Sequence, residues 1–267
     1  MPQQRRSKFR MTVRADRARA DRACCGGLSR RGFLSLAAAA AWAPRSLARA
    51  MAAPLPLEVA GVAIPRSRNA ALAADYARQR QPDFLFNHCM RTFVFGALYA
   101  REMGLAFDAD EAFIAAALHD LGLLPAFASK NASFEVDGAD AAEKFGRSMG
   151  MSERRADVIW HSVEMHDGKW ALTSRQGPEA MLVSAGAAAD VDGPKSSVVD
   201  ARQAAEALEA FPRLQFKTRF TALLVDHCRR KPLSQRSTWL EGLCRETVPP
   251  AWTETVENEI AAAPFAE

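Results

Sequence analysis

Period-two alternation of apolar and polar residues is missing over any useful length of this chain, which excludes a β-sandwich or barrel. Cysteine is scarce. The five are Cys24, Cys25, Cys89, Cys228 and Cys244, and none forms a CxxC. Three follow residue 50, and an odd remainder argues against a disulfide framework while leaving room for one bridge between distant positions. An excess of positive charge is missing from the body of the chain as well. The formal net charge is +4, but residues 1–50 hold 12 of the 35 Lys and Arg against only Asp16 and Asp21. The remaining 23 basic and 29 acidic residues give −6, so a broad basic face for nucleic acid is not indicated. No internal repeat or low-complexity segment occurs after residue 50.

The first fifty residues have their own layout. Ser29-Arg-Arg-Gly-Phe-Leu34 resembles a twin-arginine export signal. The apolar run Phe33–Ala43 follows; as a helix it is about 16 Å long, too short to span a bilayer. Ala48-Arg49-Ala50 then offers a small-x-small cleavage pattern, with Met51 as the first mature residue. The resemblance implies export of an already folded protein to the periplasm or beyond, without stable membrane association after the signal is removed. Met11 is an alternative start, because the basic stretch before Arg30 is long.

With 49% hydrophobic residues, what remains can bury one sizeable core. Residues 51–68, with Pro54, Pro56, Gly61 and Pro65, read as an extended lead-in. From Asn69 onward the pattern is helical. Asn69 can cap a helix to Arg80, and Pro82 breaks it. A long apolar helix, Phe84–Met103, ends at Gly104. Asp108 or Asp110 caps the helix that carries His119, and Gly122 is a plausible stop for it. A loop over 121–133 leads to a helix over Asp137–Met149. Ser152 caps Glu153–Asp167, and Pro178 opens Glu179–Val191. Val198–Glu209 and Pro212–Arg230 are two more helices, and 236–267 forms a peripheral helical tail. The expected fold is all-α, a single bundle.

The chemistry gathers around His119-Asp120. Eight residues of good helix former, Glu111–Leu118, run into an imidazole beside a carboxylate. Two adjacent ionisable groups at the end of an apolar helix call for a partner, because an unpaired buried charge is expensive. A divalent metal is one such partner; a dipole-favoured His beside a solvated Asp is the plain alternative. Asp190 is preceded by six small residues, so its helix can approach its neighbours closely and bury the carboxylate.

With His88 in Asn87-His-Cys-Met-Arg-Thr92, the order His88, His119-Asp120, Asp190 resembles the H…HD…D signature of the HD-domain metal-dependent hydrolases. Phe134-Glu-Val-Asp-Gly-Ala139, Val158-Ile-Trp-His161 and Phe211-Pro-Arg-Leu-Gln-Phe-Lys217 are similar to the cyanamide hydratase-like branch. The likeness spans residues 69–235, with 236–267 as an extension. It implies one divalent ion (zinc, iron or manganese) held by His88, His119, Asp120 and Asp190. That ion would acidify a water, and Asp120 would ligate and orient it. His161 is expected in the pocket as a catalytic group. Glu135 is either an acid/base group or a helix cap. Arg91 either contacts substrate or pairs with a ligating carboxylate. His166 reads as a loop-edge residue and His227 as a helix-end His favoured by the dipole.

The leading expectation is a hydrolase or hydratase acting with one metal on a small molecule such as a nitrile or related C–N compound, with no nucleic acid bound. A phosphohydrolase of the same fold would need a basic rim, to which Arg91, Lys130, Lys169 and Arg175 could contribute. A non-catalytic metal-binding scaffold is the third reading. Oligomeric state is left open.

Overall fold

The structure is a computed structural model, described here for residues 54–193, 198–253 and 255–264. The export-signal segment therefore lies outside the described residues. The lead-in contains a small antiparallel hairpin, β1 (Glu58–Val59) with β2 (Val62–Ala63), whose Val59 and Val62 are buried.

Eleven α-helices follow among the described residues. They are α1 (Arg68–Arg80), α2 (Asp83–Glu102), α3 (Ala109–Leu118), α4 (Phe134–Ser148), α5 (Glu153–Glu164), α6 (Trp170–Thr173), α7 (Pro178–Asp192), α8 (Ala201–Ala210), α9 (Phe216–Arg230), α10 (Glu241–Thr247) and α11 (Val256–Ala261). The all-α expectation is met. No described helix is long and apolar enough to cross a membrane.

Local chemistry accounts for most boundaries. Ser67, not Asn69, caps α1, its hydroxyl accepting from Ala70 N at 3.1 Å. Asp108 caps α3, accepting from Glu111 N at 2.9 Å. Ser133 caps α4, which starts three residues before the expected Asp137. Asp200 and Gln203 form a capping box on α8. Pro178 opens α7, and Gly104 and Gly193 follow α2 and α7 with φ of +64° and +86°.

The core is centred on α2 and α7, which run antiparallel with their backbones nearly touching. A Cβ on Gly96 would stand 2.2 Å from Leu182 O, and one on Gly186 would stand 1.9 Å from Thr92 O. Gly96 meets Leu182 and Thr92 meets Gly186; one helical turn further along, His88 meets Asp190. The small-residue face of α7 thus fixes a register, and that register sets one imidazole against one carboxylate. α3 lies in the same core, with Ala112 to Leu118 fully buried. It ends one residue before His119.

α9 contributes the stripe Phe216, Phe220, Leu224 and Cys228, spaced by fours. Cys228 is disulfide-bonded to Cys244 of α10, and Cys89 is a buried free thiol.

Gly186→Ala should destabilise the protein by about 3 kcal/mol or more, because the added methyl meets backbone rather than a yielding side chain. Urea denaturation checks this. A loss of under about 1 kcal/mol would mean that α2 and α7 stand further apart than described.

Candidate metal centre

His119 and Asp120 lie in the turn that leaves α3, followed by a short 3-10 segment, Leu121–Leu123. Gly122 is required here by contact: a Cβ would fall 2.0 Å from Phe134 O, where the start of α4 crosses the turn. Its expected role as a stop signal is not what the backbone demands of it.

The hydrogen bonds fix both imidazole tautomers. His119 Nδ1 is 2.8 Å from the Ala116 carbonyl oxygen, which can only accept, so Nδ1 carries the proton. His88 Nδ1 is 2.7 Å from Asp190 Oδ2, and by the same reasoning donates to it. In the neutral form of each ring, Nε2 is then a bare lone pair. The two Nε2 atoms face each other at 3.3 Å, each 3.4 Å from Asp120 Oδ2. With both rings neutral, the His–His approach is not a hydrogen bond but two acceptors held together.

Asp120 Oδ2 is buried and has no hydrogen-bond donor among the described residues. Burial, more than any neighbouring charge, pushes His119 down to about 3, so it stays neutral and does not bridge the gap with a proton. Three buried acceptors converging without a donor are costly unless a cation sits among them. Tetrahedral ligands at 2.0–2.1 Å from zinc stand roughly 3.3–3.4 Å apart. The triangle formed by His88, His119 and Asp120 has that size, so these residues fit a divalent ion.

Asp190 sits behind His88 rather than among the converging atoms. Its carboxylate accepts from His88 Nδ1, from Arg91 Nε and Nη2 at 2.7 Å each, and from Arg213 Nη1 at 3.0 Å. Burial would raise its pKa, but the hydrogen bonds from Arg91 and His88 outweigh it and hold the group well below the usual carboxylate range. The structure thus brings three of the four expected ligands together and uses the fourth to orient His88, the arrangement known to fix a ligating imidazole. Arg91, a candidate substrate contact, is fully buried in this fork, and its Nη1 donates to Phe211 O at 2.7 Å. It does not line the cavity.

A cavity of about 140 Å³ opens above the cluster, lined by Phe134, His166, Asp167, Ser184, Phe220 and Trp239 among others. The two downstream histidines exchange the places expected of them. His161 is exposed, its ring edge-on to Trp160 at 5.1 Å, outside the cavity lining. His166 is buried, edge-on to His119 at 4.8 Å, with Nδ1 donating to Val163 O and Nε2 3.9 Å from Asp120 Oδ1. The reason is where α5 ends. It stops at Glu164 instead of continuing to Asp167, and the following turn swings His166 inward. A signal was available: His166-Asp167-Gly168 repeats the His-Asp pair and nearby glycine of His119-Asp120-Leu121-Gly122.

Glu135 lies in the first turn of α4, but Ser133 is the cap. The Glu135 carboxyl is buried against Asp167. Burial and the Asp167 charge push it up to about 8, and burial chiefly lifts Asp167 to about 6. Two carboxyls so placed hold a proton between them. Gln235, with its amide oxygen turned to His227 Nε2 at 3.0 Å, donates to Glu135 Oε1 at 3.3 Å. His227 is fully buried, and burial with the nearby Arg230 and Lys231 lowers it to about 4. It is a neutral core histidine, not the charged helix-end group the sequence suggests.

Arg91→Met should cost about 3–5 kcal/mol in urea denaturation, because it strands a buried carboxylate, and adding Asp190→Asn should recover part of the loss. A loss below about 1 kcal/mol would show that Arg213 and His88 satisfy Asp190 alone. The shared proton has its own signature. Glu135 titrates near 8 in the fold against 4.5 unfolded, so between these values the folded chain binds a proton the unfolded chain has lost. Stability therefore falls as pH rises through this window and levels off above it. His119 and His227, lowered from 6.5, act in the opposite sense only below 6.5. In metal-stripped protein, stability should then fall between pH 6.5 and 8, by up to about 1.4 kcal/mol per pH unit. Glu135→Gln should flatten the slope; an unchanged slope would locate the proton elsewhere.

No curated protein matches the chain. Residues 85–193 match the HD domain family, and the His88–His119–Asp120 cluster they carry fits the metal-binding character of the HD superfamily.

Proposed function

We propose that this protein is a metal-dependent hydrolase or hydratase that adds water to a small, uncharged C–N compound of the nitrile or amide type, using one divalent ion. The ion would rest on His88, His119 and Asp120, with zinc, iron and manganese all suited to two imidazoles and a carboxylate. When bound, such an ion supplies a water whose pKa is lowered towards neutrality.

The protein's own groups account for the rest. Asp190, locked by Arg91 and Arg213, keeps His88 Nδ1 protonated and its Nε2 directed at the site. Asp120 Oδ1 faces His166 and can accept a hydrogen bond from an attacking water. With its Nδ1 proton committed to Val163 O, His166 presents Nε2 as a proton acceptor. The Glu135–Asp167 pair holds a proton that Asp167, at the cavity wall, can deliver to a developing anion.

The observation that carries the choice of substrate is the cavity lining. Among the described residues it includes Asp120 and Asp167 but neither Lys nor Arg. A phosphoester would meet carboxylates where it needs cations, and Arg91 is committed to Asp190. A purely structural ion is disfavoured for a different reason: three protein ligands beside an open cavity leave room for water or substrate. The Cys228–Cys244 disulfide supports the reading of export to an oxidising compartment through the twin-arginine-like signal.

Metal analysis with a screen of nitriles, amides and phosphoesters tests the proposal. Wild type should carry about one ion per chain and turn over a C–N substrate, and His119→Ala should lose both, with turnover down at least about 100-fold. Retained metal and activity in His119→Ala would remove the cluster from the mechanism. Turnover of phosphoesters alone would overturn the substrate class.

A further inference from the structure

The cavity has two chemically different ends. Its floor holds His88, His119 and Asp120, while Phe220 and Trp239 contribute apolar wall. Trp239 lies outside the residues that match the HD family. It belongs to the turn-rich stretch 231–240 between α9 and α10, and that stretch is anchored at several points. The Cys228–Cys244 disulfide closes it as a loop. Lys231 makes a buried ion pair with Asp137. Gln235 is wedged between Glu135 and His227, and Thr238 Oγ1 hydrogen-bonds the Gln235 amide. Leu240, next in the chain, is 2% exposed.

On this support Trp239 remains 51% exposed. A single exposed apolar side chain is ordinary. One that also walls a cavity above the His88–His119–Asp120 cluster, on a loop anchored at both ends, limits what can enter. A polar gatekeeper would reward a hydrogen-bonding or charged substrate; an indole face rewards a small apolar one.

We propose that Trp239 is a specificity-determining residue, setting the size limit of the substrate and selecting one whose end distant from the metal is small and uncharged. This rests on the reading of the site as a metal-dependent centre open to ligands. The same stretch links the two functions of the loop: Gln235 reaches the proton-holding Glu135 while Trp239, four residues on, bounds the space above.

The test uses full-length protein loaded with cobalt(II), whose visible absorption reports ligands reaching the metal without any need for the natural substrate. Acetohydroxamate and benzohydroxamate serve as a small and a bulky probe, titrated into wild type, Trp239→Phe and Trp239→Ala. Trp239→Ala should tighten benzohydroxamate by about tenfold or more and leave acetohydroxamate within about twofold, with Trp239→Phe in between. An identical cobalt spectrum before probe addition shows that the variant retains the centre, and Trp239→Phe carries the comparison should the alanine variant fail to fold. Unchanged or parallel affinities for the two probes in the variants, or weaker benzohydroxamate binding, would overturn the size limit while leaving the metal centre standing. Failure of wild type to bind cobalt would overturn the metal reading itself, and this inference with it.

Discussion

Backbone contact between α2 and α7 is the constraint on which the site depends. With Gly96 and Gly186 at the crossing, the helices cannot slide or rotate without driving a carbonyl into a helix backbone. One turn beyond Gly186, the same register delivers Asp190 to His88. The carboxylate is buried at the cost of its hydration, and Arg91, Arg213 and the imidazole offset that loss together. The result is an imidazole with one tautomer and one orientation. His119 reaches the same condition by a shorter route, since its Nδ1 proton is taken by a carbonyl of its own helix.

Much of this was legible in the residues. Pro82, Asp108, Ser152 and Pro178 mark helix starts or breaks because their effects are local. His119 and Asp120 could be picked out because a buried run ending in ionisable groups demands a partner, and His88 joined them through the resemblance to the H…HD…D signature. Asp190 could be read as buried from the small residues before it. Its grip on His88 from behind could not, because that depends on which face of α2 it meets. The roles of His161 and His166 turned on where α5 stops. A helix continued to Asp167 leaves His166 at a loop edge; ending it at Glu164 rotates His166 into the cavity. Arg91 was legible as one of two alternatives, and three-dimensional packing selects the ion pair. Gln235 lay beyond sequence reasoning, being an ordinary polar residue made significant only by the return of the chain over α4.

The electrostatics divide the site into two compartments. Around His88 and Asp190, arginines stabilise a negative charge so that an imidazole can be held in place. Around Glu135 and Asp167 no such cation intervenes among the described residues, and burial keeps a proton on the pair near neutral pH. The cavity lies between a set of lone pairs and a proton store. That is the disposition required to add water across a polar bond, where one group receives a proton and another supplies one.

The covalent link between α9 and α10 has a consequence of another kind. Cys228 and Cys244 enclose the whole segment that carries Lys231, Gln235 and Trp239. A protease that severed a single peptide bond inside this ring would leave both new ends tethered, and the fragment beyond the nick would not be shed. Wherever the folded chain meets a protease, the crosslink is thus insurance against losing the wall of its own cavity to one cut.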